Sequence, residues 1–224
     1  MPEYNTQIDK AVLSWDPACY HDRSGLILLQ RKHQVMDADF GSRKFITQTW
    51  YEVVHIETLK GDYLQQSDTL IERWKQFNNW YKKYGITLNL LIDAAGVGVS
   101  VRMTLRDRAD LAGVSIPIKA YSFVAGMQPV KISHSIMRFD KPSVYEFAYR
   151  IAANGQLKIH NQLPMAKELK REMENLNVVQ SASGRPIINA PNGEYDDLCT
   201  ALVSALAFMD LRGGIHVYDR IPGL

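Results

Sequence analysis

Several things are scarce in these 224 residues. No apolar run approaches the ~18 residues that a membrane-spanning helix needs. The opening MPEYNTQIDK lacks the apolar stretch of a secretory leader, so an intracellular protein is expected. There are only two cysteines, Cys19 and Cys199, at no metal-ligand spacing. Both are expected to be free thiols. No Gly-x4-Gly-Lys-Ser/Thr loop occurs, which excludes a Walker-type nucleotide site. No internal repeat is present, and with this length that excludes the duplicated phosphate-binding domains of sugar kinases and actin-like ATPases. No Ser-His-Asp or Cys-His arrangement suggests a covalent nucleophile. Charge of one sign is also missing: the formal net charge is +2, which by itself points to no nucleic-acid partner.

What is present is an ordered series of elements. Residues 11–16, 25–30 and 50–57 read as three strands, joined too closely for helical crossovers, hence an antiparallel meander. Leu70, Trp74, Phe77, Tyr81 and Tyr84 recur at helical spacing, with Gly85 as the stop. Residues 86–93 form a continuous apolar run of strand length. A helix is expected after it, then a strand over 114–123, giving strand–helix–strand with parallel pairing. Lys141–Ala153 reads as a helix with Pro142 in its first turn and Asn154-Gly155 at its end. Leu157–His160 suits a short strand and Pro164–Leu176 a charged helix; 181–186 reads as a turn-rich loop. A final helix starts near Asp196, with Leu198, Leu202 and Leu206 in one stripe, and Gly213-Gly214 ends it. The expected fold is α/β, an RNase H-like mixed central sheet flanked by helices, with 1–224 as a single domain and 124–185 as a less regular insert within it.

Three acids stand in parallel situations. Asp16 ends the first strand, Asp93 ends the fourth, and Asp197, beside Asp196, opens the last helix. Each alone has an ordinary reading: Asp16 before Pro17 as a turn, Asp93 as a loop acid, Asp196 or Asp197 as a helix cap. Together, strand ends on one sheet edge and a helix first turn are where open α/β folds place ligands. Three gathered carboxylates repel one another and need protons or cations to compensate. Hard oxygen ligands suit Mg²⁺ or Mn²⁺. Two such ions, roughly 3.5–4 Å apart, serve phosphodiester hydrolysis.

Arg102, Arg106, Arg108 and Lys119 follow the second acid and suit phosphate contacts as well as they suit a solvated face. Arg73, Lys75, Lys82 and Lys83 read as a solvated face. Trp74, Trp80 and Tyr81 read as core, and Cys199 as packing.

The segments WDPACYHDRSG (15–25), LLIDAAGVG (90–98) and YDDLCTALVSALAF (195–208) resemble the three nuclease motifs of tailed-phage terminase large subunits. DKPSVYEFAYRIAANGQLKI (140–159) is similar to that family's helix-then-strand segment, so the resemblance covers most of the chain. It implies Asp16, Asp93 and Asp197 as catalytic, metal-binding acids, and matches Asp22 and Asp196 to accessory acids. Tyr195 stands where the family usually has His, and Thr200 where many members have a further Asp. Gly96 and Gly98 are read as letting the backbone turn beside Asp93. The resemblance further implies a metal-dependent DNA endonuclease in the host cytoplasm that cuts concatemeric viral double-stranded DNA during packaging. It would work with two Mg²⁺ or Mn²⁺, a terminase ATPase domain, a small terminase subunit and a portal protein. Alternatives are a non-catalytic DNA-binding or motor-docking remnant, or another RNase H-like enzyme such as a junction resolvase. With no phosphate loop in the chain, a nuclease domain without its packaging ATPase is expected.

Overall fold

The computed structural model describes residues 6–210 apart from 19–22, 40–43, 96–97, 125–129, 134–135, 181–183, 185 and 192. The first three strands are β1 (Gln7–Asp16), β2 (Ser24–Asp39) and β3 (Lys44–Leu59). Both junctions pair antiparallel, so the meander stands as expected. Helix α1 (Tyr63–Lys82) follows, opened by a capping box in which the Asp62 carboxylate accepts from Gln65 N and the Gln65 side chain accepts from Asp62 N. Then come β4 (Asn89–Asp93), α2 (Gly98–Leu111) and β5 (Ile118–Val124), with β4 and β5 parallel.

The 124–185 stretch carries regular elements. These are β6 (Val130–Ser133), β7 (Ile136–Asp140), α3 (Lys141–Ala153), β8 (Leu157–Ile159), α4 (Ala166–Glu174) and β9 (Asn177–Gln180). Strand β10 (Pro186–Asn189) and helix α5 (Asp197–Asp210) complete the described chain. One eight-stranded mixed sheet runs β6-β7-β5-β4-β1-β2-β3-β8, and β9 and β10 form a separate hairpin.

Two cores lie on the two faces of the large sheet. One is built from Leu13, Trp15, Leu90 and Ile92 with α1 and α2. The other joins Val12, Ile27, Leu29, Leu91 and Tyr121 to α3, α4 and α5. Helix α5 is buried from Leu198 to Met209, because sheet lies on one side of it and α3 and α4 on the other. This explains why it is apolar nearly all round rather than striped.

Some expectations needed correction. Trp74 and Tyr81 are core, but Trp80 is 43% exposed and Tyr84, just past the end of α1, is 57% exposed. Arg73 is not simply solvated: it makes a two-pronged bond to Glu57 on β3. Cys199 is a buried free thiol, and burial pushes its pKa up, in keeping with a packing role. Cys19 and Gly213-Gly214 lie outside the described residues.

Candidate active site

Strand parity and register place the first two acids. Side chains alternate between faces along a strand. Val12 faces the α5 side and Leu13 the α1 side, so Asp16 falls on the α5 side. On β4, Leu91 faces α5 and Ile92 faces α1, so Asp93 falls on the same side as Asp16. The β1–β4 ladder is parallel, with Trp15 opposite Ile92, which makes Asp16 and Asp93 the next row at the shared C-terminal edge. Asp93 is in turn opposite Tyr121 of β5.

Helix α5 brings the third acid. Its first residue is Asp197, and its first turn lies against the start of β2. Gly25, the residue paired with Asp16, makes this approach possible. A Cβ there would lie 2.5 Å from the Asp197 carbonyl oxygen and 2.8 Å from Leu198 N. Gly98 plays the same part for Asp93: a Cβ there would lie 2.2 Å from the Asp93 carbonyl oxygen. Gly98 thus has the role the sequence suggested, while Gly96 lies outside the described residues.

Neighbouring bonds hold the acid-bearing segments. The Trp15 indole donates to Ser24 Oγ at 2.6 Å, and that hydroxyl donates to the Asp16 carbonyl at 3.0 Å. Buried Gln66 of α1 donates to the Ala18 carbonyl at 2.8 Å, fixing the chain just after Pro17. Ala95 N donates to Asp93 Oδ1 at 2.8 Å. At the α5 entry, Glu172 of α4 accepts from Cys199 N at 2.9 Å, capping the helix from outside. Arg171 bridges Glu168 and Glu194, Arg23 bonds Glu168, and the Arg23 guanidinium lies 4.8 Å over the Tyr195 ring. Tyr195 therefore serves this frame.

The electrostatics show the acids converging. Burial raises the Asp16 pKa well above the carboxylate range, and Asp93, Asp197 and Asp196 raise it further, with Lys141 opposing. Asp93 is also raised by burial, opposed by the Ala95 amide and Lys141. Beneath them Tyr121 is fully buried, and its phenol is pushed up by burial and then by the charges of Asp16 and Asp93. Glu172, buried behind α5, is raised to about 7, chiefly by burial. Among the described residues, no three acid, histidine or cysteine side chains stand close enough to hold an ion as they lie. The donor chemistry nonetheless fits a hard divalent cation, because carboxylate oxygens are the hard ligands that Mg²⁺ and Mn²⁺ take.

The remaining sequence candidates are dispersed. Asp22 lies outside the described residues. Asp196 is 3.7 Å from Lys141 Nζ, and its carbonyl accepts from Thr200 N. The Thr200 hydroxyl is buried against Tyr145 Oη at 2.9 Å. Arg102, Arg106 and Arg108 lie along α2, which starts at the site and leads away from it. Arg108 is held by Asp68 of α1. Lys119 sits on β5, opposite Leu91. Sequence reasoning passed over Lys141, Tyr121, Gly25 and Glu172. Only Lys141 carried a signal, the Asp-Lys-Pro at a helix start.

No protein-family model matches this sequence, and no curated protein sequence matches it. Solved structures do. The large terminase nuclease of thermophilic phage G20c is similar at 18% identity and a TM-score of 0.50, over 92% of this chain and 83% of that one. The human cytomegalovirus terminase nuclease domain, soaked with Mn, is similar at 11% identity and a TM-score of 0.51, over 90% of this chain and 82% of that one. At these identities the likeness speaks for architecture, and by architecture the chain is an RNase H-like α/β protein folded as terminase nuclease domains are.

Proposed function

We propose that this chain is a divalent-metal-dependent endonuclease that hydrolyses double-stranded DNA, used to cut concatemeric viral DNA during genome packaging. The observation that carries the reading is that Asp16, Asp93 and Asp197, from three distant segments, come to one sheet edge, where the charges of Asp93 and Asp197 both bear on Asp16. These three would hold Mg²⁺ or Mn²⁺, two ions by resemblance, with Asp196 and Asp22 as accessory acids. Such ions, when bound, would supply an activated water and charge stabilisation for the leaving oxygen. The chain's own contribution is positioning. Asp16 ends a central strand of the sheet and feels the charge of both other acids, so it is assigned the central role. The Ala95 amide orients Asp93. The α5 first turn, seated on Gly25 and capped by Glu172, aims Asp197. Arg102, Arg106 and Lys119 are assigned to DNA phosphates, whose contacts position a duplex without reading its sequence; Arg108 joins them only if it leaves Asp68. A terminase ATPase domain, a small subunit and a portal are the partners this use requires.

The test is plasmid cleavage by the purified chain. Nicking and then linearisation with Mn²⁺ at scattered positions, and none in chelator, are expected. Cleavage that persists in chelator overturns the reading.

A further inference from the structure

Beside the acids stands a lysine that the proposed chemistry has not yet used. Lys141 is the first residue of α3, directly after β7. Strand β7 runs parallel to β5, which runs parallel to β4, which runs parallel to β1. All four strands therefore end at one edge, and the edge that presents Asp16 and Asp93 also delivers Lys141.

The ammonium has a defined seat. Nζ lies 3.7 Å from Asp196 Oδ2. It is 5.5 Å from the Tyr145 ring centre and 5.8 Å from that of Phe123, so two aromatic faces back it. Tyr145 is itself fixed by Thr200 of α5. The side chain is 26% exposed, open enough to meet a ligand and packed enough to stay at the site. Its charge opposes the rise in both Asp16 and Asp93. Thr200 thus helps to seat the ammonium through Tyr145.

An ammonium and a divalent ion compete for the same carboxylates, because each repels the other. A lysine head on a flexible four-carbon stem can withdraw without disturbing the backbone. DNA brings a phosphate to the same edge, offering the displaced ammonium a new anion.

We infer that Lys141 is a functional residue of this site: its ammonium neutralises the carboxylates while no ion is bound, yields them to the entering divalent ion, and then contacts the substrate phosphate. This rests on the nuclease reading above.

The experiment compares the parent with Lys141→Met, Lys141→Gln and Lys141→Arg. Melting temperature is followed as Mn²⁺ is titrated, without DNA, and plasmid cleavage is then measured. In Lys141→Met and Lys141→Gln the midpoint of the Mn²⁺-induced rise should fall at least about tenfold, since a repelling charge near the ion is gone. Cleavage by the same variants should drop at least about tenfold, as expected for one lost charge-assisted phosphate bond. Tighter metal with slower cleavage is a combination that loss of fold does not produce. Lys141→Arg should keep the midpoint within a few-fold of the parent. If the parent rises with Mn²⁺ and both neutral variants titrate like it, the lysine assignment is wrong while the metal site stands. Parental cleavage in the neutral variants would remove the phosphate contact. A parent with no Mn²⁺ response overturns the metal site and this inference with it.

Discussion

Replacing Gly25 by alanine adds one carbon, and the structure specifies what that carbon meets. It would sit 2.5 Å from the Asp197 carbonyl oxygen, 2.6 Å from its carbon and 2.8 Å from Leu198 N. All three are backbone atoms in the first turn of α5, so no side chain can swing aside. Ordinary contact needs the turn to retreat by about 1 Å. Overpacking of this kind costs about 1–3 kcal/mol. For a chain of this size that lowers the melting temperature by roughly 2–12 °C. The larger consequence is chemical, because the displaced turn carries Asp197. A misplacement of about 1 Å can cost on the order of 10²-fold in rate. Gly25→Ala should therefore remain folded and lose about two orders of magnitude in Mn²⁺-dependent plasmid cleavage. Gly155→Ala is the matched control. Its Cβ meets nothing within 4 Å, but its φ of +67° strains any side chain. It should lose about 1–2 kcal/mol of stability and cleave like the parent. Parental cleavage by Gly25→Ala would refute the idea that this glycine sets the approach of α5 to the acids.

Glu172 makes stability depend on pH. Its folded pKa, about 7, lies above the ordinary 4.5, so the folded state binds the proton more tightly. The penalty for ionising it is absent below about pH 4.5, builds up to about pH 7, and persists above that, reaching roughly 3 kcal/mol. The metal-free parent should lose melting temperature between pH 5 and pH 8, and Glu172→Gln, which keeps an acceptor for Cys199 N, should lose clearly less; equal losses would count against this. On the basic surface, reversing the charges of Arg102, Arg106 and Lys119 together should weaken DNA binding several-fold and flatten its salt dependence, checked by fluorescence anisotropy across salt. Arg108→Ala should matter less, because Asp68 already holds that guanidinium.

The sequence carried those parts of the fold whose burial is written locally. Strand β1 and the first half of β2 alternate or run apolar because sheet faces cover them on both sides. Helix α3 was legible to the residue, since Lys141-Pro142 opens it and Asn154-Gly155 follows its end. The outer halves of β2 and β3 were not legible: RKHQVMDAD has no apolar period, and its pairing is carried by the backbone ladder out to Asp39–Lys44. The β9–β10 hairpin is largely exposed and so lacks a hydrophobic signature. Strands β6 and β7 are too short to show one. Among the candidate site residues, Asp16, Asp93 and Asp197 stand out in the sequence because element ends mark them. Gly25 and Glu172 could not, since their meaning lies in a contact with a helix far along the chain. The place of Lys141 beside the acids depends on β7 running parallel to β5, a pairing that no local pattern shows.

The most direct test of the account is the cleavage rate of supercoiled plasmid with Mn²⁺ by the parent, Asp16→Asn, Asp93→Asn and Asp197→Asn, each first shown to be folded by circular dichroism. The account predicts a parent that cuts only with the metal, and three folded variants that are nearly inactive. Their metal-free melting temperatures should be no lower than the parent's, because each removes charge repulsion. A folded Asp16→Asn protein that cuts at the parental rate would contradict it.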